Sequence, residues 1–120
     1  IEMKHRAESS DYVERFLNII SEHPDIDGIY ACADYRLSPV YSALNRLGRK
    51  IGEDIAVLGY YDTPWTKAFD PQLSSVNLKP RKIVSEICNI YFHKAGKGIF
   101  RKSILPEIVA RASSRLKIKE

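Results

Sequence analysis

Two short apolar runs on either side of one helix-length segment restrict this chain more than any other feature. Residues 29–32 read Ile-Tyr-Ala-Cys and lead into Ala33 and Asp34, while residues 55–59 read Ile-Ala-Val-Leu-Gly and lead into Tyr60, Tyr61, Asp62, Thr63 and Pro64. Between them Leu37, Val40, Leu44 and Leu47 recur at helical spacing, and Gly48 closes the helix. Both runs are too hydrophobic on either face for an open antiparallel sheet, so the segment is predicted to be a β-α-β unit whose parallel strands are covered by helices. The expected fold class is α/β. In such sheets ligands sit beyond the carboxyl ends of the strands. Asp34 and Tyr61 directly follow the two strands and are expected to face one crevice, with Tyr35 and Tyr60 crowding its mouth.

The flanking chain fits one domain. A helix capped by Ser10 or Asp11, with Glu14 completing a capping box, carries Val13, Phe16, Leu17 and Ile20 at helical spacing and ends at His23-Pro24. Ser38 is the expected cap of the next helix, with Pro39 at its first position; Asp34 could cap one turn earlier. Arg49 and Lys50 then follow the helix's negative end. A loop or short helical turn over residues 63–71 bears Trp65 and Phe69, and residues 74–78 read as a short strand. Pro80 opens a longer helix with Ile83, Val84, Ile87, Ile90 and Tyr91 on its stripe, ended by Gly96-Lys97-Gly98. Residues 104–111, interrupted by Pro106, suit an edge strand. Residues 1–8 lack periodicity and read as a loop or frayed leader.

Composition excludes several classes of function. With 44% hydrophobic residues, the 120 residues can supply one core. The net charge of +4 lies mainly in Arg101-Lys102 and the tail at residues 111–119, and no helix carries a basic face interleaved with base-reading groups, so the chain alone is not expected to bind nucleic acid specifically. No apolar run approaches the roughly 20 residues of a membrane span, and no leader is evident. Cys32, inside a strand, and Cys88, on a helix's apolar side, are expected to be buried, reduced thiols of a soluble cytosolic protein.

Catalytic and metal signatures fail on their spacing. Gly96-Lys97-Gly98 follows a helix instead of joining a strand to one, as a phosphate loop requires. His5, His23 and His93 are scattered without a second ligand that could share a metal. No nucleophile with a matched base is present, and nothing in the sequence marks Asp34 and Asp62 as a pair tuned for acid-base work. No cofactor is expected. Asp34 remains open between a cap for exposed amides and a ligand contact. Asp62 reads as turn chemistry, and Tyr60 could simply pack beneath the loop.

The runs Pro24-Asp25-Ile26-Asp27-Gly28-Ile29-Tyr30-Ala31-Cys32-Ala33-Asp34, Ile51-Gly52-Glu53-Asp54-Ile55-Ala56-Val57-Leu58-Gly59-Tyr60 and Asp70-Pro71-Gln72-Leu73-Ser74-Ser75-Val76 resemble the LacI/GalR family of transcriptional repressors. So do Asp62-Thr63-Pro64 and the run from Leu105-Pro106-Glu107 to Ser113, in family order. The resemblance implies the C-terminal portion of a periplasmic-binding-protein-like effector domain, a partial parallel-sheet lobe without the first lobe or the DNA-binding domain. It further implies a small-molecule effector, and operator DNA reached only through an N-terminal helix-turn-helix absent here. Asp34 matches the family's aspartate after the strand. Ala33 stands where many members have a ligand-binding asparagine, Tyr61 where many have an aspartate, and Leu78 where a glutamine often reaches the ligand. An unpaired buried hydroxyl costs about 1 to 3 kcal/mol, so these departures disfavour a simple sugar and favour a more apolar effector, or none.

Ligand contacts are therefore expected at Asp34, Tyr35, Tyr61 and Leu78. Mapped onto the family's subunit pairing, Ser38, Tyr41, Ser42, Asn45, Trp65 and Phe69 are expected to form a homodimer contact, with the aromatics as buried anchors. The helix from Pro80 packs on the first lobe in family members, so here its stripe is expected to meet a second copy or to rearrange. A lobe of a transporter's solute-binding protein, or a small α/β enzyme domain, are the alternative readings.

Overall fold

The computed structural model describes residues 9–94 and 98–115. The expected leader with His5, the Gly96-Lys97 turn and the tail beyond residue 115 lie outside the described residues. Helix α1 (Ser9–Glu22) is followed by strand β1 (Gly28–Tyr30), a 3-10 turn (Asp34–Leu37), helix α2 (Ser38–Arg46) and strand β2 (Ala56–Tyr60). A second 3-10 turn (Pro64–Lys67), strand β3 (Ser74–Asn77), helix α3 (Pro80–Lys94), strand β4 (Glu107–Val109) and a last turn (Ala112–Ser114) complete the chain.

The four strands lie side by side in chain order. β1, β2 and β3 run parallel, with Ile29 opposite Val57 and Tyr60 opposite Val76. β4 returns antiparallel along β3, with Asn77 opposite Glu107, as an edge strand just past Pro106. The α/β expectation holds, and the ends of β1 and β2 point the same way.

The apolar periodicity builds one core. Val13 and Ile20 of α1 meet Leu37, Val40, Tyr41, Ala43 and Leu44, and these close over Ile55, Val57 and Leu73 from the sheet side of the sequence. Phe16, Leu17, Ile26 and Phe69 pack on its border. At its C-terminus α2 stops where expected: Gly48 has φ 67, and the amides of Leu47, Gly48 and Arg49 bond back to carbonyls of Ala43, Asn45 and Leu44. Arg49 then donates to the carbonyl of Ile26 at 2.8 Å, fastening the turn before β1 to the end of α2.

Several local expectations are corrected. Ser38 does not cap α2, nor does Asp34 cap its own turn. The 3-10 turn runs straight into the helix with Leu37 already helical (φ -86, ψ -9), and within the turn the Arg36 amide donates to the Ala33 carbonyl. Leu47 is partly exposed because the helix ends before it. Both cysteines are exposed. Pairing of β1 stops at Tyr30, apart from one bond from the Ala31 amide to Leu58, so Cys32 lies past the strand. Cys88 sits on α3, whose residues Val84, Ile87, Tyr91 and Phe92 are uncovered.

Tyr41 joins the core through both parts of its side chain. Its hydroxyl donates to the carbonyl of Pro71 at 2.9 Å, and its ring lies 4.6 Å from that of Phe69. Burial pushes its pKa up to about 12; the nearby Ser113 side chain opposes this, and the charge of Asp70 adds to it. The folded state thus holds this proton more tightly than the unfolded chain, whose tyrosine titrates near 10. The contribution is fully present below pH 10 and is lost as pH rises toward 12. Urea unfolding measured between these limits should show stability falling by on the order of 2 kcal/mol, with a flatter profile in Tyr41→Phe.

Candidate functional site

The site is built where β1 and β2 end. Asp34, the first residue of the turn after β1, is 1% exposed, and its carboxylate is fully engaged. Oδ2 accepts from the amide of Thr63 at 2.7 Å and from its hydroxyl at 2.8 Å. Oδ1 accepts from the Ser75 hydroxyl at 2.6 Å. Gly59 makes this possible, because a Cβ there would press on Asp34 Oδ1 and on Leu73 Cδ2. The aspartate therefore fastens the loop after β2 to the strand beyond it. It lies under the rim and does not present its oxygens to the crevice.

That loop has an unusual backbone. Tyr61 and Asp62 have φ of 91 and 51, two successive side-chain-bearing residues in the left-handed region, a conformation that costs about 1 to 3 kcal/mol per residue. Each amide is held. Tyr61 donates to the carbonyl of Val76 at 2.9 Å and Asp62 to the Ser75 hydroxyl at 3.0 Å. The Asp62 carboxylate accepts from Asn77 Nδ2 at 2.9 Å through Oδ2 and is met at Oδ1 by Arg111 Nη2 at 2.8 Å, an ion pair off the hydrogen-bond direction.

The result is an aromatic rim on a hydrogen-bonded base. Tyr61 is 52% exposed, Tyr30 is exposed beside it, and Tyr60 lies between them with ring centroids 6.3 Å from Tyr30 and 4.9 Å from Tyr61. Partial burial, then the neighbouring Tyr60, Cys32 and Tyr61, hold the Tyr30 phenol above its ordinary pKa. Leu78, half-buried, follows β3 on the same side of the sheet sequence. Tyr60 is both packed and part of this group.

Tyr35 goes elsewhere. With Ser38, Trp65, Ala68 and Phe69 it lines an open groove of about 400 Å³, and Arg36 lies over its ring at 5.7 Å. The structure thus joins Tyr35 to the residues expected at a subunit contact. Trp65 is 65% exposed, and Ser38, Ser42 and Asn45 are exposed with it. Tyr41 is the exception: its ring and hydroxyl are committed to the core, so it supports Phe69 from within.

The residues that sequence reasoning overlooked are Thr63, Ser75, Asn77 and Arg111. Their signal was present as two serines, Ser74 and Ser75, inside a buried parallel strand, since buried hydroxyls need partners. Ser74 shares hydrogen bonds with Arg111 and Ser114, while Ser113 bridges the Ser74 amide and the Val57 carbonyl at 2.8 and 2.6 Å. Among the described residues no cluster of three or more metal-binding side chains occurs, and no helix is long and apolar enough to cross a membrane.

A family profile described as a periplasmic binding protein-like domain matches residues 2–114. Among curated proteins, the HTH-type transcriptional regulator GntR of Pseudomonas aeruginosa is 34% identical over 71 residues, covering 59% of this chain and 20% of that protein. The ribose operon repressor of Lactococcus lactis is 27% identical over 105 residues, covering 85% and 32%. Among solved structures, a LacI family transcriptional regulator from Arthrobacter sp. FB24 in complex with lactose superposes with a TM-score of 0.72 at 29% identity, over 91% of this chain and 42% of that one. The chain thus spans between a fifth and a third of these curated relatives' length.

Proposed function

This chain belongs to the periplasmic binding protein-like domain family that LacI-type transcriptional regulators share, and from that premise we propose that it is part of the effector-sensing lobe of a DNA-binding regulator. Its work is to bind a small molecule and to pair with a second copy, without catalysis, inside the cell where the operator is. A transporter's solute-binding lobe is the less favoured reading, because the matched relatives named above are regulators.

The observation that carries this proposal is the aromatic rim of Tyr30 and Tyr61 at the carboxyl ends of adjacent parallel strands, braced from beneath by Asp34. Phenol rings offer apolar area with one hydrogen bond each. With Ala33 and Leu78 also lacking hydrogen-bonding side chains, the favoured effector presents a large apolar face, which an aryl glycoside offers more fully than the C–H face of a bare sugar. The groove beside Trp65 and Phe69 serves subunit pairing in this proposal, and the open stripe of Ile83 and Ile87 on α3 is covered by a further body of protein.

The test is a thermal-shift titration with phenyl galactoside and, in parallel, lactose. The aryl glycoside is expected to raise Tm more at equal concentration. Tyr61→Ala is expected to weaken that binding by about tenfold while leaving the unliganded Tm nearly unchanged, since the ring is half exposed. Equal affinity in Tyr61→Ala and the parent chain would remove Tyr61 from the site.

A further inference from the structure

We propose that Asp62 is a positioning residue that ties the Tyr61 rim to the two segments carrying α3, so that the backbone of the rim and the orientation of α3 are set together. Its significance for effector sensing rests on the function proposed above; the linkage itself does not.

Among the described residues, none of α3 belongs to the buried core. Ile83, Val84, Ile87, Tyr91 and Phe92 along it are exposed, so core packing does not fix its direction, and Glu86 pairs with Lys102 of the returning chain at 2.7 Å. Its direction depends on how the chain leaves β3 and how it returns to β4. Asp62 reaches both. On the outgoing side its carboxylate accepts from Asn77, whose own Oδ1 accepts from the Lys79 amide at 2.6 Å. Lys79 has φ 56, and its carbonyl takes the Ile83 amide in the first turn of α3. Lys79 also pairs through Nζ with Glu107 of β4 at 2.9 Å.

On the returning side, Asp62 pairs with Arg111, which follows β4. That guanidinium also donates to the Leu73 carbonyl at 2.8 Å, so it is held against the start of β3. Both members of the Asp62-Arg111 pair are largely buried, with side chains 13% and 15% exposed. Removing one charge therefore leaves the other poorly solvated and cuts the tie between the rim and the segment that returns from α3. The same aspartate holds φ 51 next to Tyr61 at φ 91, so the rim's left-handed turn and both attachments of α3 share one carboxylate.

The experiment uses the whole chain and no ligand. Nitroxides on the two exposed cysteines, Cys32 beside the rim and Cys88 on α3, give a distance distribution between rim and helix. Hydrogen exchange at the Tyr61 amide reports the turn. The parent chain should give one narrow distance peak. In Asp62→Asn the peak should broaden at least about twofold and the Tyr61 amide should exchange about tenfold faster, in samples that remain folded. A purely structural role for Asp62 would lower Tm without widening the distribution. An unchanged width, whether or not exchange quickens, overturns the linkage. Should Asp62→Asn not fold, Asn77→Ala cuts only the outgoing branch and is judged by the same width. Neither readout involves an effector, so failure here leaves the glycoside titration as an independent test of the proposed function.

Discussion

Truncating Asp34 to alanine is expected to lower the unfolding free energy by about 3 to 5 kcal/mol, a large fraction of what a chain of this size holds. Three donors converge on that carboxylate: the Thr63 amide, the Thr63 hydroxyl and the Ser75 hydroxyl. Alanine strands all of them in a buried setting, where each unsatisfied group costs about 1 to 3 kcal/mol and no replacement partner is built in. Asp34→Asn should be milder, because an amide keeps one acceptor oxygen while its NH2 faces donors. Urea unfolding of the parent and both variants gives the order. If Asp34→Ala unfolds within about 1 kcal/mol of the parent, the aspartate is not the anchor of the rim.

Gly52→Ala should be comparably damaging for a different reason. Gly52 has φ 83, and a Cβ there would be driven into the carbonyl of Ala112, which is backbone and cannot swing aside. The residue lies in the tight loop whose amide bonds to the carbonyl of Ile55, between the bridged Ile51 and Ile55. Left-handed strain and a backbone clash together imply a loss of about 4 kcal/mol or more. Gly48 supplies the control. It also has positive φ, 67, but a Cβ would meet nothing, so Gly48→Ala should cost only about 1 kcal/mol. Thermal unfolding of the two variants side by side separates conformational strain from steric exclusion.

The fold was legible because its signals are local and additive. Residues 29–32 and 55–59 announced parallel strands by their composition, and Gly48 announced the end of α2 through a geometry few other residues accept. Strand limits slipped by one to three residues, since pairing partners decide them. The site was legible only in outline. That Asp34 and Tyr61 follow adjacent strands could be read from the order of elements. That Asp34 is turned inward could not, because its partners Thr63 and Ser75 lie 29 and 41 positions away. The exposure of Cys32 escaped because strand β1 ends at Tyr30, ahead of it, a limit set by pairing with β2. Tyr35 joined the Trp65 groove because a 3-10 turn, with its threefold repeat, rotates it away from Tyr61.

Amide chemical-shift mapping of the nitrogen-labelled chain during titration with phenyl galactoside tests most directly whether the rim is the effector face. The expected result is movement concentrated at Tyr30, Tyr61, Asp62 and Leu78, with Trp65 and Phe69 still. Shifts confined to the groove of Tyr35, Trp65 and Phe69, or spread along α3 with Tyr61 unmoved, would contradict it.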